Sequence, residues 1–118
     1  MIDANVRRLR AQNALYERLC EAIASLNDEE LASLSALEAV LSRDKKDATA
    51  LIDASGISPN DRPRLLSKLK KASGYLSGYI ATAQGWRQAP ALHFRFDDSL
   101  ENAARLDEIF ARIRKEDK

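Results

Sequence analysis

The sequence predicts one α+β domain, in which a three-stranded sheet carries helices packed on one of its faces. Three observations support this class. Amphipathic helical patterns stand at both ends of the chain, an alternating apolar segment near residue 92 is typical of a strand, and that strand needs partners because unpaired backbone groups are costly. A chain of 118 residues is long enough for one hydrophobic core and too short for two. We therefore expect residues 1–118 to form a single domain.

The first helix is predicted from Asp3 to about Leu26, where apolar residues recur at steps of three and four positions. Residues 28–55 allow two interpretations. Their alanine and leucine content favours a helix, but their apolar residues also alternate with period two on either side of a polar turn. Because the later strand needs partners, we predict a hairpin with strands near residues 36–40 and 49–54.

The sequence pattern in the second half of the chain predicts a kinked helix, a strand and a final helix. Pro63 suits a first helical turn and apolar residues repeat at helical spacing up to Ile80, but Gly74 stands inside this pattern. A glycine within a helix costs about 1 kcal/mol relative to alanine, so we expect a kink there. In residues 91–96, apolar and polar side chains alternate, which is typical of a strand. Asp98 can cap a last helix, which has basic residues in its final turn. The expected order is α-β-β-α-(kink)-α-β-α.

Composition excludes several classes of protein. Cys20 is the only cysteine and His93 the only histidine, so neither an internal disulfide nor a multi-ligand Cys/His zinc site can form. No run approaches the roughly 20 apolar residues of a membrane span, and the N-terminus lacks the apolar segment of a secretory signal. Asp97 and Asp98 are better explained by a helix cap than by an acid/base pair. We expect a cytoplasmic protein that is not an enzyme and uses no metal or cofactor.

The charges are strongly segregated, although the net charge is only +1. From Arg62 to Phe96 the chain has seven basic residues and no acidic one, whereas the remainder has twelve basic and eighteen acidic residues. This asymmetry is typical of a surface that binds a polyanion. Arg64, Lys68 and Lys71 have the spacing i, i+4, i+7, which puts them on one face of a helix, where they can neutralise phosphates.

Several segments resemble the ribosome-binding factor A family. Residues 66–80 (LSKLKKASGYLSGYI) and 87–101 (RQAPALHFRFDDSLE) are similar to its kinked helix pair, its Pro-x-Leu-x-Phe strand and its Asp-x-Ser helix start, at matching spacing. Residues 42–48 (SRDKKDA) and the basic first helix extend the resemblance over nearly the whole chain. Residues 72–74 match the family's Ala-x-Gly element, which stands where other KH domains have a Gly-x-x-Gly loop. The alanine-rich first two strands depart from the family, in which valine and isoleucine are more usual.

This resemblance implies a type-II KH-like fold and a monomeric, non-enzymatic assembly factor. Members of the family bind the free small (30S) ribosomal subunit and its 16S RNA late in maturation, assist 5′-end processing and matter for growth in the cold. The RNA-binding residues expected from the basic segments and from this resemblance are Arg43, Lys45, Lys46, Arg64, Lys68, Lys70, Lys71, Ala72, Ser73, Gly74, Arg87 and Arg95.

Each part of this surface also has a simpler interpretation. The cations of the hairpin turn are equally compatible with a solvated loop. An isolated basic stripe on a helix is also usually a solvated face, but the acid-free segment and the matching Ala-x-Gly element favour RNA binding here. Tyr75, Tyr79 and Trp86 are able to stack on RNA bases, but aromatic residues beside leucines at helical spacing more often pack in a core. The alternative function is a protein-interaction module, an adaptor or dimeric regulator that uses the amphipathic first helix. Its binding would be insensitive to salt.

Overall fold

The computed structural model describes residues 3–99. Its elements in chain order are α1 (Ala4–Ala24), α2 (Glu29–Ala32), β1 (Ala36–Leu41), β2 (Asp47–Asp53), α3 (Arg62–Gln84) and β3 (Ala91–Asp97). The predicted α+β class, the hairpin and the later strand are confirmed. The predicted C-terminal helix lies outside the described residues. Over residues 3–99, no helix has the length and apolar character needed to cross a bilayer.

Helix α1 is capped by Asp3, whose carboxylate accepts a hydrogen bond from the backbone N–H of Asn5. Leu15, Leu19 and Ile23 follow one another at intervals of four residues and are buried on the side that faces β1 and α3. The first two turns of the helix carry no buried side chain. Only the C-terminal part of α1 therefore contributes to the core, and its N-terminal part is exposed.

The three strands lie in the order β1-β2-β3. β1 and β2 are antiparallel and pair Ala39 with Ala50, whereas β2 and β3 are parallel and pair Ala50 with Phe94. Parallel strands need a long crossover connection, and α3 provides it. Because side chains alternate along a strand, His93 and Arg95 lie on the face opposite to Phe94.

The core side of the first two strands is built mainly from alanine. Ala39, Ala48 and Ala50 are buried there, with Leu41 and Ile52 as the larger side chains. Small side chains allow the helices to approach this face closely, and the leucines and isoleucines of the helices fill the space above it. α1 lies against β1 and α3 against β3, so both long helices pack on one face of the sheet, as predicted.

Helix α3 is continuous, and the predicted kink at Gly74 does not divide it into two helices. Gly74 keeps a helical backbone and does not adopt positive φ. Leu65 and Leu69 before it, and Leu76 and Ile80 after it, are all buried. Burying one such side chain contributes roughly 1.5–3 kcal/mol, which exceeds the roughly 1 kcal/mol that glycine costs in a helix. The helix therefore continues through Gly74.

Replacing Gly74 by alanine is expected to raise the free energy of unfolding by about 0.4–1 kcal/mol. Gly74 is exposed, and a Cβ built there has no heavy atom of another part of the chain within 4 Å, so alanine fits without displacing a neighbour. The gain arises because alanine has less conformational freedom in the unfolded chain. Chemical denaturation followed by circular dichroism measures it, and a destabilised variant would contradict the continuous helix.

Candidate nucleic-acid interface

The basic residues predicted on the exposed side of α3 separate into two groups. Arg64 forms two hydrogen bonds with the Glu30 carboxylate, at 2.7 and 2.8 Å, and Lys68 pairs with both Asp28 and Glu30. Asp28 is the N-cap of α2 and Glu30 lies in its first turn. We call Asp28 and Glu30 the acidic pair. Two of the predicted RNA-binding residues are thus already neutralised by carboxylates of the same chain.

The acidic pair and its cations shift one another's pKa values. Hydrogen bonds from Arg64 and then from Lys68 lower the pKa of Glu30 to about 2. The hydrogen bond from Lys68 also lowers the pKa of Asp28, and the two carboxylates raise the pKa of Lys68. All four groups are therefore charged near neutral pH. Because their side chains are partly exposed, water and salt screen the network and its contribution to stability is small.

Glu30→Gln is expected to remove a stabilising contribution that depends on pH. The folded-state pKa of Glu30 lies below its ordinary value of 4.5, so the contribution is fully present above about pH 4.5 and is lost as the pH falls through about 2. The melting temperatures of the wild-type protein and the variant should differ near neutral pH and converge towards pH 2. A difference that stays constant over this range would contradict the ion-pair geometry.

Lys70 and Lys71 are exposed and stand outside this network. Within residues 3–99, neither lysine forms an ion pair with a carboxylate. Such a lysine can neutralise a phosphate without first giving up a carboxylate of its own chain. Lys70 and Lys71 are therefore the basic residues of α3 that are best placed to contact RNA.

A groove of about 380 Å³ runs between α3 and β3. It is lined by Leu66, Lys70 and Ser73 of the helix and by Leu92, His93 and Phe94 of the strand. The Ser73 hydroxyl donates to the carbonyl of Lys70 at 2.7 Å, and His93 Nε2 lies 2.9 Å from the Asp47 carboxylate. Since β3 is the edge strand of the described sheet, the groove follows its free edge. A cation, polar groups and an apolar wall here face the same space, which suits a single RNA strand.

Arg43, Lys45 and Lys46 lie exposed in the turn between β1 and β2. The Asp44 carboxylate accepts hydrogen bonds from the Ser42 hydroxyl at 2.6 Å and from the Lys46 N–H at 3.1 Å. These bonds, the first above all, lower the pKa of Asp44. The one acidic residue among the three cations is thus engaged within the turn, while the three cations are exposed.

The other predicted site residues do not form one continuous surface. Lys45 and Arg87, which are far apart in the sequence, line one cavity beside the hairpin turn. Arg95 lies on the sheet face opposite to the helices and joins neither group. Ala72 packs against the core, and Gly74 is exposed on α3. The structure therefore brings the predicted residues together at two places, the groove and this cavity.

Two features of the site were not predicted from the sequence. One is the acidic pair, although an Asp followed by two glutamates, as at residues 28–30, is typical of a helix start. The other is the role of Arg62, which lies 3.0 Å from a carboxylate oxygen of Asp98 and 6.0 Å from the centre of the Phe96 ring. Arg62 thereby joins the start of α3 to the end of β3. It belongs to the fold rather than to the basic surface.

Comparison with known proteins identifies related sequences. The family model described as "Ribosome-binding factor A" matches residues 7–110. The ribosome-binding factor A of Helicobacter pylori (strain J99) is 42% identical over 111 residues, which cover 94% of this chain and 95% of that protein. The similarity thus extends over nearly the full length of both chains.

Two structures share the fold. The crystal structure of ribosome-binding factor A from Thermus thermophilus aligns with a TM-score of 0.66 and 22% identity, over 75% of this chain and 93% of the other. The second is a homology model of the Thermus thermophilus protein, fitted into a cryo-EM map of its complex with the 30S subunit. It aligns with a TM-score of 0.61 and 24% identity, over 75% of this chain and 92% of the other. The expected KH-like fold is confirmed.

Proposed function

The chain belongs to the ribosome-binding factor A family, and from this we propose that it binds the free small ribosomal subunit by contacting its 16S RNA. The complex of the Thermus thermophilus protein with the 30S subunit supports this partner. In this chain, the observation that carries the proposal is the groove between α3 and β3. Lys70 lines the groove, Lys71 follows it on the exposed side of the helix, and neither lysine is paired within residues 3–99.

A single strand of RNA fits this groove in one orientation. Its phosphates lie towards Lys70 and Lys71, which replace the cations condensed on the RNA, and its bases lie towards β3. Leu66, Leu92 and Phe94 offer an apolar wall to the base planes, and the free backbone edge of β3 offers hydrogen-bond partners to the base edges. The phosphate contacts supply most of the affinity, and the strand edge orients the RNA.

Arg64 and Lys68 have a different role in this proposal. The acidic pair occupies their donors, so each can contact a phosphate only by exchanging one carboxylate for it. Such an exchange gains little, because both states are ion pairs in a partly exposed setting. Arg64 and Lys68 therefore hold α2 against α3 and contribute little to RNA affinity.

The protein acts in this proposal by binding and not by catalysis. As a single-domain monomer without a cofactor in the bacterial cytoplasm, it holds one conformation of the subunit RNA late in maturation. Holding this conformation assists processing of the 5′ end of 16S RNA. The effect is largest in the cold, because misfolded RNA then escapes slowly from its wrong conformations.

Deletion of the gene in the source bacterium tests the processing role. We expect 16S RNA with an unprocessed 5′ end to accumulate, more strongly at low temperature, when the ends are mapped by primer extension. A plasmid copy of the wild-type gene should restore processing, and a copy with Lys70→Ala and Lys71→Ala should not. A copy with Arg18→Gln is the control, because Arg18 pairs with Glu21 on α1, away from the groove. Normal 5′ ends in the deletion strain at low temperature would contradict the proposal.

A further inference from the structure

A second cavity, of about 340 Å³, lies where α1, the end of β1, the hairpin turn and the segment after α3 meet. Its lining includes Ala11, Leu41, Lys45, Trp86, Arg87 and Gln88. None of these residues lines the groove between α3 and β3. The described residues around this cavity include two cations and no carboxylate. The cavity is thus a separate, basic site with an aromatic wall.

The backbone at the end of α3 fixes Trp86 at this cavity. Gly85 ends the helix in the left-handed conformation, with φ 68, and the N–H of Trp86 donates to the carbonyl of Ala81 at 2.8 Å. Trp86 is half-buried, packs against the core and also lines the cavity. The ring therefore has a defined position before any ligand binds, which lowers the entropic cost of stacking on it.

Lys45 occupies its place at a conformational cost. Its φ is 61, and it is the one residue other than glycine with positive φ in the part of the chain that the structure describes. Glycine adopts this conformation without strain, whereas a long side chain does not. The N–H of Lys45 donates to the carbonyl of Ser42 at 3.0 Å, so the turn holds the residue in this conformation. Strain of this kind points to a use for the side chain, and here that side chain lines the cavity with its charge.

We propose that this cavity holds one unpaired nucleotide of the bound RNA, with its base against Trp86 and its phosphate between Lys45 and Arg87. The inference rests on the proposed function, since the nucleotide belongs to the RNA that the groove also contacts. Proteins recognise single-stranded RNA by stacking splayed-out bases on aromatic rings and guanidinium groups. The Gln88 amide offers both a donor and an acceptor to a base edge. A volume of about 340 Å³ is at the lower end of the range for small-molecule sites, as one nucleotide requires.

Trp86 reports directly on this site, because it is the only tryptophan of the chain. Titration with a short single-stranded oligouridylate should quench its fluorescence. Trp86→Leu removes the reporter, so its binding is measured by fluorescence anisotropy of the labelled oligonucleotide. Loss of one stacked base should weaken binding of the oligonucleotide about five- to 150-fold.

Lys45→Gly separates binding from folding. It removes the charge and also relieves the strain at φ 61, so the melting temperature should equal or exceed that of the wild type while the oligonucleotide binds more weakly. The slope of log affinity against log salt should also become less steep by about 0.7, the value for one lost phosphate contact to single-stranded RNA. Arg18→Gln removes the same charge outside the cavity and should leave the quenching unchanged.

The outcomes also separate this proposal from the proposed function. If the oligonucleotide leaves Trp86 fluorescence unchanged, or if Lys45→Gly and Trp86→Leu bind it as the wild type does, the cavity is not a nucleotide site. Comigration of the wild-type protein with small subunits would still support the proposed function in that case. Conversely, quenching that Lys45→Gly weakens would support the cavity even if the protein failed to comigrate with subunits.

Discussion

Leu69→Ala is expected to lower the free energy of unfolding by about 2–5 kcal/mol. Leu69 is 0% exposed and lies in the middle of the buried stripe of α3, within the hydrophobic core. Removing its side chain loses the apolar transfer free energy and leaves a cavity in the packed core. Since native domains are stable by about 5–15 kcal/mol, this one change removes a large part of the stability.

Urea denaturation followed by circular dichroism measures this loss. Leu9→Ala provides the matched control, because it makes the same change in a helix at a residue that is 48% exposed, on the N-terminal part of α1. The control should change the stability by less than about 0.5 kcal/mol. If Leu69→Ala is no more destabilising than Leu9→Ala, the described packing of α3 on the sheet is wrong.

Replacing Lys70 and Lys71 together by alanine is expected to weaken binding to small subunits and to flatten its salt dependence. Each phosphate contact that is lost should lower the slope of log affinity against log salt by about 0.7–0.9, so the double variant should lose up to about twice that value. The fold should be retained, because both side chains are exposed and alanine is the better helix former. Binding to purified small subunits is measured at several salt concentrations.

Lys68→Ala distinguishes the structure from the simple stripe predicted from the sequence. A stripe of equivalent cations, Arg64, Lys68 and Lys71, predicts the same loss of slope for Lys68 as for Lys71. The ion pairs of Lys68 with Asp28 and Glu30 instead predict a smaller loss for Lys68→Ala than for Lys71→Ala. Equal losses for the two single variants would show that the acidic pair does not restrain Lys68.

The sheet could be predicted from the sequence because one strand requires others. Residues 28–55 have helical composition, and the hairpin was favoured by their period-two alternation together with the need of the later strand for partners. The kink at Gly74 was predicted from a local cost, and the burial of Leu69, Leu76 and Ile80 outweighs that cost. Local propensity is thus overruled in both places by contacts that form only in the folded chain.

The candidate site was predicted in its residues but not in its arrangement. The acid-free segment identified the basic residues, yet the partners of Arg64 and Lys68 come from α2, more than 30 positions earlier in the chain. The sequence also gives no sign that Lys45 has positive φ, or that it meets Arg87 beside Trp86. Pairing across the tertiary structure decides which cations are available to RNA, and spacing along one helix does not contain that information.

Sedimentation of the tagged protein through a sucrose gradient tests whether this chain binds the free small subunit through its RNA. The protein should comigrate with free small subunits, and rising salt should release it, since phosphate contacts weaken steeply with salt. The double variant Lys70→Ala, Lys71→Ala should shift towards the top of the gradient. A wild-type protein that remains at the top, or that stays bound to a partner irrespective of salt, would contradict the account.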